Sequence, residues 1–250
     1  MLEIINHGNV RELQLARPPA NALSIDLVEK LTESLVTAGK EADAVVVSGL
    51  PGMFSAGLDV PQLMQYGRSD LSGFWQIFLH LLETIARMPV PTAFAMTGHA
   101  PAGGIVMAVF GDYRIMPRGR FKTGFNEVQV GLVVSTPIHR AVARAVGPRV
   151  AERILVAGEL MESEKALQIG LVDELVDEPE QVVTRAIEWC EQHLAFPSLA
   201  MSTTREMARA DLHQWFDAKS ELDVEKFVDI WFSDETQATL TALVERLSGR

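Results

Sequence analysis

The stretch Ala44-Val45-Val46-Val47-Ser48-Gly49 is an unbroken apolar run rich in β-branched residues and closed by glycine. A strand with one wet face alternates apolar and polar residues, because successive side chains point to opposite sides. A run without alternation is the pattern of a strand buried on both faces, as in a parallel sheet covered by helices. Thr92-Ala93-Phe94-Ala95-Met96 repeats that pattern. Val10 to Ala16 instead alternates, as a half-buried strand does.

Helical periodicity fills the intervals. A helix is predicted from Ser24 to about Ala38, with Ile25, Leu27, Val28, Leu31, Leu35 and Val36 on one face. A longer one covers Leu71 to Arg87 and stops before Pro89-Val90-Pro91. Gly103 to Phe110 reads as an apolar helix, followed by a strand over Tyr113–Met116 and an irregular stretch from Phe121 to Leu132. Further helices are predicted at about Pro137–Val146, Arg149–Val156 and Ser163–Gly170, the last capped by Ser163 and stopped by Gly170. Beyond Leu175-Val176 the chain reads as almost wholly helical, ending in one helix from Val224 to Leu247. Alternating strands and helices followed by a helical tail predict an α/β fold. With 250 residues, 48% of them hydrophobic, the chain is long enough for one sizeable core.

Charge and composition exclude several partners. The formal net charge of −11 reads against nucleic acid and against anionic membrane surfaces. No apolar run reaches the roughly 18–20 residues of a membrane span. The first fifteen residues, MLEIINHGNVRELQL, lack the basic region and apolar core of a signal peptide. A single cysteine, Cys190, rules out an internal disulfide and fits a reducing compartment, here expected to be the cytoplasm.

Two loops share a form that bears on chemistry. Ser55-Ala56-Gly57-Leu58 and Ala102-Gly103-Gly104 each follow a predicted buried strand and each open a helix. Free N–H groups at helix starts bind anions, permanent or developing. Neither GxxxxGK[ST] nor GxGxxG is present, which disfavours a nucleotide phosphate cradle. Two such loops can offer paired N–H donors to a carbonyl oxygen that gains charge during reaction. They can equally be ordinary strand-to-helix turns. Gly124-Phe125-Asn126-Glu127-Val128-Gln129-Val130-Gly131-Leu132 adds one carboxylate in apolar company, where withdrawal from water raises a pKa toward the range of a general base. Asp59, with Gln62 three residues on, has the form of a helix N-cap. His99 and His139 have no metal-like spacing, and no metal is expected.

In these places the sequence resembles the crotonase, or enoyl-CoA hydratase/isomerase, family. The matching stretches are RPPANALS (17–24), FSAGLDV (54–60), GHAPAGGIVMAVFGDYRI (98–115), FNEVQVGL (125–132), AVGPRVAERILVAG (145–158) and EKALQIGLVDELV (164–176), in family order. The resemblance implies a spiral of ββα units over residues 1–195 and a helical carboxy-terminal region, 196–250, that forms homotrimers or hexamers. It implies an acyl-CoA substrate of fatty-acid β-oxidation and no separate cofactor, coenzyme A being part of the substrate. The thioester oxygen would be held by the backbone amides of Leu58 and Gly103, with Ala56, Gly57, Asp59 and Asn126 around the substrate and Glu127 as the catalytic group. Lys226 is a candidate cation for the 3′-phosphate, and Met64, Phe74 and Trp75 are candidates to line the acyl tunnel. Hydratases of the family use a second glutamate three residues after the oxyanion glycine; here that position is Val106. The resemblance therefore implies a Δ3,Δ2-enoyl-CoA isomerase working with one glutamate. Another acyl-CoA reaction, or a non-catalytic acyl-CoA-binding protein, are the alternatives.

Overall fold

The computed structural model describes residues 1–217 and 224–249. The first part of the chain runs β1 (Leu2–His7), β2 (Val10–Leu15), α1 (Ile25–Glu41), β3 (Ala44–Ser48), β4 (Gly52–Met53), α2 (Val60–Leu63), α3 (Arg68–Ala86), β5 (Thr92–Ala95), β6 (Gly98–Pro101) and α4 (Gly103–Ala108). It continues through β7 (Tyr113–Pro117), β8 (Lys122–Gly124), a 3-10 turn at Glu127–Val130, α5 (Thr136–Val146), α6 (Pro148–Ala157), β9 (Leu160–Glu162), α7 (Ser163–Gln168), β10 (Glu174–Val176) and α8 (Gln181–Leu194). Three helices close it: α9 (Ser198–Asp217), α10 (Val224–Trp231) and α11 (Asp234–Ser248).

Two sheets organise these elements. The larger has the order β1-β2-β3-β5-β7-β10 and is parallel except for the β1–β2 hairpin. The smaller has the order β4-β6-β8-β9, with β4, β6 and β8 parallel and β9 antiparallel at the edge. Each of the pairs β3–β4, β5–β6 and β7–β8 gives one strand to each sheet before the chain turns into helix. That repeat is the spiral of ββα units.

The apolar run at β3 is buried on both faces. Val45 and Val47 pack into the main core with α1 and α3, whereas Ala44 and Val46 face a second cluster built on Ala93, Ala95 and the α8 residues Val182, Ala186 and Cys190. The Cys190 thiol, 3.9 Å from the Val45 carbonyl, has its pKa pushed up to about 12 by burial and packs as a small apolar group. The tail is docked on the same body. Arg205 and Arg209 of α9 both reach Asp112, and Arg209 also donates to the carbonyls of Ala86 and Phe110.

Two local expectations are corrected. The predicted helix from Val224 to Leu247 is two helices, because Ser233 turns extended (φ −69°, ψ 150°) and its hydroxyl accepts from Thr236 N–H, starting α11 afresh. Ser163 does not cap α7; Glu162 holds that position, and the Ser163 hydroxyl instead bonds both backbone groups of Gly119. The short strands β4, β6, β8 and β9, of two to four residues, are below the length at which alternation can be read.

Candidate active site

Because β4, β6 and β8 are parallel neighbours, the loops that follow them leave the small sheet at one end. These are Phe54–Asp59, Ala102–Gly103 and Phe125–Glu127. Ligands of open parallel sheets bind outside the carboxyl ends of strands, where such loops converge. Here they enclose a cavity of about 560 Å³.

The first loop leaves one amide free. Phe54 and Ser55 N–H donate to His99 O, Ala56 N–H to Ala20 O, Gly57 N–H to the Ser55 hydroxyl, Asp59 N–H to Leu23 O and Val60 N–H to Leu58 O. Among the described residues the Leu58 N–H alone in this stretch meets no acceptor. Buried amides without partners are costly, so a free one lining a cavity marks a place for a ligand acceptor.

The second loop brings the Gly103 N–H alongside, with no acceptor among the described residues. Ala102 has φ 47° and ψ −125°, a conformation sparsely populated outside glycine, and it is held there by Ala102 N–H to Gly124 O and by Val106 N–H to Ala102 O. The ψ angle sets the next peptide plane, so this strain orients the Gly103 N–H. The two loops touch. A Cβ on Gly57, itself at φ +86°, would stand 2.9 Å from the Gly103 nitrogen, and one on Gly103 would stand 3.1 Å from Gly57 Cα. The first distance is closer than real Cβ atoms come, and the second is tighter than most of their contacts. Glycine at both positions is what lets the Leu58 and Gly103 amides lie side by side.

The third loop carries the carboxylate. Glu127 opens the 3-10 turn, which ends at Gly131 in a left-handed conformation. Thr236 of α11 pins the turn by donating to Gly131 O at 2.8 Å, and the Gln129 amide donates to Gly158 O at 2.8 Å. Val130, Leu132, Val133 and Val134 share the cavity wall with Glu127. Removal from water pushes the Glu127 pKa up to about 7, while a hydrogen bond from its own backbone N–H pulls the other way. Among the described residues its buried Oε2 meets no partner, nor does Asn126 Oδ1 beside it.

Of the seven residues singled out from sequence, Ala56, Leu58, Asp59, Gly103, Asn126 and Glu127 line the cavity; Gly57 lies behind it against Gly103. Asp59 has both carboxylate oxygens engaged, one capping α2 through Gln62 N–H at 3.2 Å and the other 2.6 Å from Arg17 Nη2. Val106 is 2% exposed and contributes a branched apolar wall. Trp75 lines the cavity, but Phe74 and Met64 belong to the core around it. Lys226 lies on the exposed side of α10, one residue from cavity-lining Phe227. His99 accepts from Lys122 N–H and packs on Phe121. Among the described residues no group of three or more His, Cys, Asp or Glu could hold a metal ion.

Local sequence patterns do not reveal the cavity's far wall. Phe227 of α10 and Leu243 and Leu247 of α11 close it, with Phe227 stacked on Trp75 at 3.6 Å between ring centroids. The i, i+4 spacing of Leu243 and Leu247 was the available signal, and it marks an apolar helix face without saying what the face covers.

The sequence pattern of the enoyl-CoA hydratase/isomerase family matches residues 6–249. The chain belongs to that family, the crotonase superfamily. A human protein, mitochondrial enoyl-CoA delta isomerase 1, is 31% identical over 244 residues, spanning 96% of this chain and 80% of its own. The Mycobacterium tuberculosis protein named "Probable enoyl-CoA hydratase EchA17" is 30% identical over 195 residues, 77% of this chain and 74% of its own. The crystal structure of human mitochondrial delta3-delta2-enoyl-CoA isomerase superposes with a TM-score of 0.93 at 30% identity, covering 99% of this chain and 98% of that one. An enoyl-CoA hydratase from Bacillus halodurans, at 20% identity and a TM-score of 0.87, shares the fold. No described helix is long and apolar enough to cross a membrane.

Proposed function

We propose that this crotonase-family protein is a Δ3,Δ2-enoyl-CoA isomerase that works with a single carboxylate. The observation that carries the reading is Glu127, whose Oε2 meets no partner among the described residues, in a cavity where Asp59 is engaged by Arg17 and Val106 occupies the position of a second acid. Glu127, ionised, removes a proton from C2 of a 3-enoyl thioester. Electron density passes to the thioester oxygen, which the Leu58 and Gly103 amides hold more strongly as an enolate than as a carbonyl. Glu127 then returns its proton to C4, and the double bond comes to rest between C2 and C3. A pKa near 7 suits a group that must act as base and then acid. Hydration would need a water gripped between two carboxylates, and Val106 cannot hold one.

Ala56 and Asn126 belong to the same reading as substrate contacts, the latter through its unpartnered Oδ1. Coenzyme A enters as part of the substrate, with no further cofactor. Exposed Phe196, Leu199 and Met207 on and before α9 support the region 196–250 as a trimer interface, with hexamers as pairs of trimers. The lone buried thiol is in keeping with a reducing compartment such as the cytoplasm. The deciding experiment supplies purified protein with a 3-enoyl-CoA and follows absorbance of the conjugated 2-enoyl product. Efficient hydration of 2-enoyl-CoA in place of that conversion would move the assignment to the hydratase reading, to which the mycobacterial relative's name points.

A further inference from the structure

The stretch RPPANALS is far from Leu58 in sequence, yet it grips the Leu58 loop along its whole length. Asn21 is fully buried with φ 49°, a left-handed value that asparagine tolerates better than most residues. Its side-chain amide donates to the carbonyls of Phe54 at 3.0 Å and Met53 at 3.3 Å, and its own carbonyl accepts from the Ser55 hydroxyl at 2.8 Å. That hydroxyl in turn accepts from Gly57 N–H. Next along, Leu23 donates to Gly57 O and accepts from Asp59 N–H, bracketing Leu58 on both sides. Downstream of Leu58, Arg17 bonds Asp59 at 2.6 Å and Ala22 O at 3.0 Å, while its backbone N–H donates to Asn21 Oδ1.

These bonds hold the loop on both sides of Leu58 or tie the clamp to itself, and none among the described residues ends on the Leu58 N–H. Asn21 does not line the cavity, so it cannot act by touching substrate. We infer that Asn21, with the Arg17–Asp59 ion pair, is the positioning device of the Leu58 amide: it fixes the direction of that N–H and prevents the loop from consuming it internally. The inference rests on the reading of Leu58 as a donor to the thioester oxygen, but not on which reaction follows. A hydrogen-bond donor displaced by a fraction of its length keeps most of its ground-state contact and loses most of its value to the developing charge.

The test uses two variants, each chosen to spare the fold. Asn21→Gly keeps access to positive φ and removes the side-chain clamp. Arg17→Lys keeps the charge but cannot hold Asp59 and Ala22 O as a fork does. The probe is hexanoyl-CoA carrying ¹³C at C1, and the readout is the infrared stretch of the bound thioester carbonyl, which falls in frequency when donors polarise it. We expect a clear downshift in the wild-type protein, most of it lost in Asn21→Gly and part of it in Arg17→Lys. In the same variants kcat with 3-enoyl-CoA should fall about 10- to 100-fold for Asn21→Gly, with KM moving less than about threefold. Variants that lose thermal stability yet keep the full carbonyl shift and the kcat of the folded fraction would overturn the inference. No shift in the wild-type complex would overturn it as well, by removing Leu58 as a donor. A wild-type shift that Asn21→Gly abolishes, in a protein that does not isomerise 3-enoyl-CoA, would uphold the inference and reject only the assigned reaction.

Discussion

The cavity has two unlike working walls. On the amide wall, among the described residues, every N–H from Phe54 to Val60 is bonded except that of Leu58, and strain at Ala102 with the close crossing of two glycines sets the Gly103 amide beside it. On the carboxylate wall, Glu127 stands among valines and leucines with a carboxylate oxygen that nothing in the described protein bonds. The contrast suits the proposed isomerisation. Developing charge is best met by dipoles that need no reorganisation, so rigidity serves the amides. A proton carrier must change charge and reach two carbons in turn, so it is held by its backbone and left free at its tip. The same lack of partners that frees the tip raises its pKa.

The largest test of this division removes the carrier. Glu127→Gln should lower kcat with 3-enoyl-CoA by about 10³-fold while hexanoyl-CoA binding, read by calorimetry, stays within threefold. Undiminished turnover would remove Glu127 from the chemistry. The amide wall comes next. Gly57→Val forces a branched side chain into the space 2.9 Å from the Gly103 nitrogen, and kcat should fall about 10²-fold with the fold retained by circular dichroism.

Placing a carboxylate on the amide side blurs the two walls. Val106→Glu sets a like charge in the cavity that holds Glu127, which disfavours the ionised base. The pH midpoint of isomerisation should rise by about one unit, accompanied by new hydration of 2-enoyl-CoA if a second acid is all that reaction lacks. In the wild type, kcat/KM should climb about tenfold per pH unit below 7 and level off above it, since the active form is the ionised one. The smallest effect is on stability. A buried acid whose folded pKa exceeds its unfolded value of about 4.3 weakens the fold as pH rises from that value through about 7. Glu127→Gln should therefore raise Tm at pH 8, by roughly 2–4 °C for each kcal/mol of that cost, and leave it nearly unchanged at pH 4, as read by calorimetric scans.

The two walls were unequally legible in the sequence. The amide wall announced itself, because glycine at the mouth of an apolar helix and a capping pattern at Asp59–Gln62 are local signals. What was not legible was Asp59's second partner, Arg17, forty-two positions away. On the carboxylate wall the sequence offered a glutamate in apolar company, and only packing decided that the company closes over it. The tail shows the same division. Its apolar spacing read as one helix over Val224–Leu247, while Ser233 broke it and the fold turned Phe227, Leu243 and Leu247 onto the cavity.

Read alone, the sequence determined the buried parallel strands, the glycines of the two loops, the single carboxylate between them and the family these compose. Those properties live in periodicity, β-branching and backbone freedom, which act within a few residues. Tertiary structure decided that β4, β6 and β8 bring three loops to one end of a sheet, that Asn21 and Arg17 brace Leu58, and that the tail closes over Glu127. Those outcomes depend on which surfaces meet after the chain has turned, and no local pattern specifies them.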